Sequence, residues 1–173
     1  MNKMQQIRVE KITLNMGTGG PGEELEKALK LLNLLTGKKP VEAKSNKRIP
    51  TWGVRPGLSV GARVTIRGAE AIELLKRLLK STANSLPETK FDNQGNFAFG
   101  VPEYIDVPGV KYDAGLGIRG FEVSVTLERP GFRIKRRRIR TKKVPVKHRI
   151  TKEESITFME KEFGIKVSKG EEE

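Results

Sequence analysis

The run Gly17-Thr18-Gly19-Gly20-Pro21-Gly22 matches G-x-G-x-x-G, between a strand-like and a helix-like segment, with Glu42 about twenty residues further on. In a dinucleotide-binding fold such glycines let backbone N–H groups close on a pyrophosphate while the acid takes a ribose hydroxyl. Three features oppose that chemistry here. The preceding segment is half polar (Lys11, Thr13, Asn15), where a central parallel strand would be apolar on both faces. Pro21 crowds a turn that must offer N–H groups, and no further βαβ pattern follows, so a plain glycine-rich turn is the better reading. Acid–base catalysis is weaker still. The single histidine, His148, sits between Lys147 and Arg149 with no nucleophile or orienting acid nearby in sequence, a setting suited to phosphate contact. The carboxylates gather at helix starts and in Glu171–Glu173, where capping and solvation account for them. With no cysteine and one histidine, disulfides, thiol catalysis and Cys- or His-rich metal sites are excluded, and no cofactor or metal is expected.

The cations are more informative. The 173 residues carry a net charge of +13, concentrated in two windows. Residues 38–67 hold eight basic residues against one acid, Glu42, and residues 129–149 hold eleven against none, so the rest of the chain is net acidic. A protein made basic only for solubility needs no such arrangement, and a polyanion is the expected partner. In the second window Arg133, Lys135, Arg136, Arg137, Arg138, Arg140, Lys142 and Lys143 are broken only by Ile134, Ile139 and Thr141. Five of these eight are arginines, whose planar fork suits bidentate phosphate contact. Two isoleucines make no membrane-binding stripe, which favours nucleic acid over a lipid surface. The exposed loop 45–57 combines Lys47, Arg48 and Arg55 with the only tryptophan, Trp52, between Pro50 and Pro56. That ring either folds back on the core or packs on a sugar or base at the tip of a mobile basic finger.

Several elements must position these groups. Residues 7–16 alternate with one phase slip near Glu10–Lys11 and read as a strand with a bulge. A helix over 23–36 places Leu25, Ala28, Leu29 and Leu32 on one face and ends at Gly37. A short strand at Val41–Lys44 and a clear one with Val60, Ala62, Val64 and Ile66 inward follow, then a helix over 69–81 using Ile72, Leu75 and Leu79. Phe97, Phe99 and Val101 mark one strand, and Phe121, Val123, Val125 and Leu127 another. Thr151-Lys152-Glu153-Glu154 is a capping box opening a last helix to about Phe163, with Gly164 at its end. Alternating strands mixed with helices predict an α+β fold: one domain over 1–173, a largely antiparallel sheet with helices on one face, the polar sheet face exposed, and long basic loops. Continuing the alternation puts Lys11, Thr13, Asn15, Lys44, Arg63, Thr65, Arg67, Ser124 and Thr126 on the polar face. Hydroxyls, an amide and arginines suit phosphates and ribose 2′-OH groups, while the lack of outward aromatics excludes the stacking platform of an RRM. Neither a signal peptide nor a membrane span is expected from the first residues or the leucine-rich stretch 25–35.

The segments KITLNMG (11–17), LLTGKKPVEAKS (34–45), IRGAEA (66–71), FDNQGNFAFGVPEYID (91–106), IRGFEVSVTLERPGFRIKRRR (118–138) and KHRITKEE (147–154) together resemble the large-subunit ribosomal protein L-five family. The basic insertion and its flanks resemble the archaeal and eukaryotic-cytosolic branch. The resemblance implies a non-enzymatic protein of the cytoplasmic ribosome, in the central protuberance of the large subunit, binding 5S rRNA with its exposed sheet face. It further implies contacts to large-subunit rRNA, neighbouring large-subunit proteins and a small-subunit head protein, with loop 45–57 reaching P-site tRNA. By position Asn15, Lys44, Arg63, Thr65 and Arg67 match the 5S-facing strands, and Lys47–Gly57 matches the tRNA-facing loop. The glycine-rich turn and Trp52 depart from the family pattern, where Phe is more usual at the latter position. The competing readings are a nucleotide-dependent enzyme built on Gly17–Gly22 and a free-standing RNA chaperone.

Overall fold

The structure is a computed structural model that describes residues 2–168, so the acidic run Glu171–Glu173 lies outside the described residues. Strand β1 (Arg8–Gly17) buries Ile12, Leu14 and Met16 and turns Lys11, Thr13 and Asn15 to the opposite side. Helix α1 (Glu23–Thr36) begins with three acids, Glu23, Glu24 and Glu26, and ends on Gly37, which takes a left-handed φ of 63° and donates its N–H to Asn33 O. Its buried stripe is Leu25, Ala28, Leu31, Leu32 and Leu35, with Leu29 only half-buried at the stripe's edge.

Strands β2 (Val41–Lys44) and β3 (Ser59–Ile66) pair antiparallel, Val41 opposite Arg63 and Ala43 opposite Gly61. Gly61 is required there, since a Cβ would collide with the Met16 carbonyl of β1. Helix α2 (Ala69–Ser81) buries Ala71, Leu74, Leu75, Leu78 and Leu79. Ile72, expected inward, is 41% exposed. Each residue advances about 100° around a helix, so the buried stripe of Ala71, Leu74, Leu75, Leu78 and Leu79 is centred near Ala71 and leaves position 72 about 100° away, outside its edge.

Strands β4 (Ser85–Pro87), β5 (Phe97–Val101) and β6 (Phe121–Glu128), helix α3 (Lys152–Phe163) and strand β7 (Lys166–Ser168) complete the chain. The main sheet is five-stranded and mostly antiparallel, in the order β2-β3-β1-β6-β5. A separate two-stranded parallel ladder, β4 with β7, had no sequence signal, because three-residue strands carry too few positions for an alternation to register. The capping box at the start of α3 is present: Thr151 Oγ1 accepts from Glu154 N while Glu154 Oε2 accepts from Thr151 N.

Packing divides the chain into two compact units. One comprises Met1–Ile12, Arg67–Ala98 and Val125–Glu173; the other comprises Thr13–Ile66 and Phe99–Ser124. In the second, α1 packs on β3, and Tyr104, fully buried, has its hydroxyl accept the Asp113 N–H at 3.0 Å. In the first, Ser155 on α3 donates to Gly95 O at 2.8 Å, and Gly95, at φ 77°, lies where a Cβ would strike the Ile150 side chain. Each fully buried leucine contributes roughly 1.5–3 kcal/mol, and the cationic segments add Val54, Val64, Phe132 and Val144 to the buried residues.

Candidate nucleic-acid interface

In the second unit the outward positions of β1, β2 and β3 bring together Thr13, Asn15, Lys44, Arg63 and Thr65. Thr13 Oγ1 lies 3.5 Å from Thr65 Oγ1, which ties the outward rows of β1 and β3 side by side. Arg63 and Thr65 are exposed, whereas Thr13 and Asn15 are half-buried. The window's single acid, Glu42, is occupied at the sheet edge by accepting from Ser59 Oγ at 2.6 Å. The surface thus offers hydroxyls and an amide beside cations, a donor set suited to ribose and phosphate oxygens. Ser124 on β6 also belongs to this unit and is half-buried. Lys11, Arg67 and Thr126 belong to the first unit; Arg67 is exposed just beyond β3, and Lys11 and Thr126 are half-buried.

The loop 45–57 is an ordered hairpin. Ile49 and Val54 exchange backbone hydrogen bonds of 2.9 and 3.1 Å, Ser45 N donates to Leu58 O and Gly57 N to Ser45 O, and Val54 is buried as the anchor. Pro50 opens a short 3₁₀ turn that Gly53 closes at φ 64°. Trp52 stands on that turn at 74% exposure, so the reading that folds it back on the core is set aside. Lys47, Arg48 and Arg55 are exposed around it. A ring held out by a bonded turn beside cations can stack on a base or sugar.

The insertion 129–149 is more deeply built into the fold than its charge suggests. Arg129 is 7% exposed; it donates to Arg149 O at 3.0 Å and to Glu154 Oε1 at 2.7 Å. Burial works against Glu154's charge, but the Thr151 N–H and the Arg129 guanidinium outweigh it and lower its pKa. Arg136 bridges two carboxylates, Glu10 and Glu128, and Arg8 holds Glu128 from the other side at 2.8 Å. Both glutamate side chains are about a tenth exposed, so the pair needs its arginines. His148 is a structural staple, with Nε2 2.8 Å from Pro130 O and its ring edge-on to Phe132 at 5.8 Å. Of the eight cations of the run, therefore, Arg136 has an internal role that sequence reasoning assigned to RNA. Arg133, Lys135, Arg137, Arg138, Arg140, Lys142 and Lys143 are exposed. Arg137 Nε donates to Arg140 O, fixing that turn, with Arg140 at a left-handed φ of 54°.

Sequence reasoning missed Glu10, Glu128, Arg129 and Glu154 as the members that shape the insertion. The capping box marks Glu154 and the basic window includes Arg129, but only the phase slip at Glu10–Lys11 hints at Glu10, and the spacing gives no sign of how the four pair. The glycine-rich turn is a poor anion site: Gly22 caps α1, and the first turn beyond it carries Glu23, Glu24 and Glu26. Lys27 bonds and attracts Glu23, lowering its pKa and keeping that end of the helix anionic. Among the described residues no helix is long and apolar enough to cross a membrane.

An α+β fold with a hydroxyl- and cation-bearing sheet face and a braced basic insertion defines a protein with surfaces suited to a polyanion. Two family models match, one described as ribosomal protein L5 over residues 2–55 and one as the C-terminus of the same ribosomal protein family over residues 59–158. The chain is 48% identical to the large ribosomal subunit protein uL5 of Nanoarchaeum equitans over 95% of its own length and 97% of that protein. It is 41% identical to uL5 of Sulfolobus acidocaldarius (98% and 95% covered) and 44% identical to that of Pyrobaculum aerophilum (95% and 92%). The chain belongs to the ribosomal protein L5 family, a family of structural ribosomal proteins and not of enzymes.

Proposed function

We propose that this chain is a structural constituent of the large subunit of the cytoplasmic ribosome, binding 5S rRNA through the polar sheet face and large-subunit rRNA through the insertion. The observation that supports this most is the state of Lys44 and Arg63: both are exposed on the outward side of paired strands, and neither has an ion pair among the described residues. Cations left unpaired on a rigid element are available to phosphates at no cost to the fold. Asn15, Thr65 and Arg67 are assigned to the same RNA, with Lys11 and Thr13 at its margin. In this reading the central protuberance is its place in the subunit, and the hairpin carrying Lys47, Arg48, Trp52 and Arg55 reaches P-site tRNA. The acidic remainder of the surface meets neighbouring subunit proteins and a small-subunit head protein.

The test is the salt dependence of 5S rRNA binding by the purified chain. Neutralising roughly 6–10 phosphates gives a slope of log affinity against log salt of about −4 to −9. A slope near zero overturns the electrostatic account.

A further inference from the structure

Between the insertion and the turn preceding β5 lies a cavity of about 270 Å³. Its floor is apolar, made by Leu127, Phe132, Val144 and Ile150, all buried. Lys135, Lys143 and Arg149 line the same space as cations, and Gln94 and Asn96 present amides to it. A phosphate alone needs no apolar floor, and an acyl chain has no use for amides beside it. The combination fits a flat ring with polar edges that is joined to an anion. Size narrows the choice: a cavity of roughly 150 Å³ holds a benzene ring, so this one admits one purine or pyrimidine and not a stacked pair.

The surrounding contacts keep the site in shape. His148 holds the Phe132 ring edge-on, and Lys135 Nζ sits 5.0 Å from the ring's centroid. Asn96 is oriented at both ends, accepting from Leu127 N at 3.2 Å and donating to Asp92 Oδ2 at 3.1 Å. Arg149 Nε donates to Val144 O at 3.2 Å, tying a cation of the rim to the floor. Lys143 is exposed and has no ion pair among the described residues, which leaves its charge for a ligand.

We propose that this cavity takes a single unstacked nucleotide of ribosomal RNA, its base on the apolar floor and its phosphate on Lys143 and Lys135. The inference deepens the RNA-binding reading and rests on it: the insertion then receives a base as well as neutralising a backbone. Unstacked bases are what proteins read in folded RNA, by apolar contact and by hydrogen bonds to their edges.

The full-length chain, isotope-labelled, is titrated with AMP, UMP and inorganic phosphate and followed by NMR. Both nucleotides should shift the amide signals of Leu127, Val144 and Ile150, while phosphate shifts only the surroundings of Lys135 and Lys143. Lys143→Ala should weaken AMP binding by roughly ten-fold, the scale of one charge-assisted contact. Val144→Trp should abolish the floor shifts by filling the cavity; should that variant unfold in a thermal melt, Lys143→Ala, at an exposed site, decides between the outcomes. Floor signals unmoved by either nucleotide, or moved equally by phosphate, overturn the proposal. In assembled large subunits, ultraviolet crosslinking should join the Phe132 peptide to one rRNA nucleotide. Shifts with AMP but no such crosslink would make the cavity a free-nucleotide site and overturn the RNA assignment. The mononucleotide arm does not involve the sheet: AMP shifts in a chain that fails to bind 5S rRNA would sink the assignment of the sheet face to 5S rRNA alone, and the converse would sink the cavity alone.

Discussion

In residues 38–67 the cations Lys44, Arg63 and Arg67 stand on or beside strands held by a buried apolar row, and none of the three is paired within the fold among the described residues. In residues 129–149 the same kinds of side chain are partly structural. Arg129 is buried against Glu154, and Arg136 joins Glu10 to Glu128. The window without a single acid of its own is thus braced by carboxylates delivered from β1, β6 and α3. The difference teaches that linear charge density does not separate the cations a fold consumes from those it displays. Repulsion within an insertion is lowered before any RNA arrives, because two of its arginines face carboxylates instead of one another.

The largest expected effect falls on the consumed side. Arg129→Ala removes two charge-assisted hydrogen bonds and leaves a cavity, and should cost about 2–3 kcal/mol of stability, read as a shifted urea midpoint. An unchanged midpoint would mean that the insertion is not braced at Arg129. Arg136→Ala comes next, at about 1–2 kcal/mol, because its side chain is 43% exposed and Glu128 keeps Arg8, while Glu10 loses its ion-pair partner. Arg138→Ala, an exposed neighbour two positions on, should change stability by less than about 0.5 kcal/mol and weaken RNA binding instead. Equal destabilisation by the two would erase the distinction drawn within the run.

Much of this architecture was legible in the residues. The alternation of Val123, Val125 and Leu127, the capping box at Thr151 and the left-handed caps at Gly37 and Gly164 are local signals, and local physics decides them. Ile72 shows where such reading stops: an apolar residue at a plausible helical position is turned outward because the stripe's centre is set by what the helix packs against. The ladder of β4 with β7 and the Arg136 bridge join residues far apart in the chain, Glu10 and Arg136 being separated by 126 positions. Spacing arguments carry no information across that distance. Trp52 was undecided between core and surface for a related reason, since its exposure depends on Val54, two residues later, taking the buried place.

On the displayed side, Arg63→Ala should leave the urea midpoint within about 0.5 kcal/mol and weaken 5S rRNA binding by roughly ten-fold, lowering the salt slope by about one. Lys47→Ala, on the hairpin, should weaken 5S binding less. Equal losses in a filter-binding titration would merge sheet and hairpin into one surface and leave no separate tRNA-facing loop.

The smallest effect concerns Glu154, where the consumed arginine meets the capping box. Burial raises its pKa, but the Thr151 N–H and Arg129 lower it further, so the folded value lies below the ordinary 4.5. A carboxylate with a depressed folded pKa stabilises the fold fully above its unfolded value, and the contribution is lost as pH falls through the folded value. Glutamine can still cap, so Glu154→Gln removes the charge while keeping the hydrogen-bonding shape. The variant should be less stable at neutral pH by under about 1 kcal/mol, since the Glu154 side chain is 43% exposed and solvent screens the pair. That gap should close as the pH drops below 4.5 and on through the folded value. Introducing the same change into Arg129→Ala should cost less than it does in the parent, because the two residues contact each other and their effects are coupled. A gap that persists in acid, or full additivity of the two changes in urea melts, would assign Glu154 to helix capping alone and remove α3 from the bracing of the insertion.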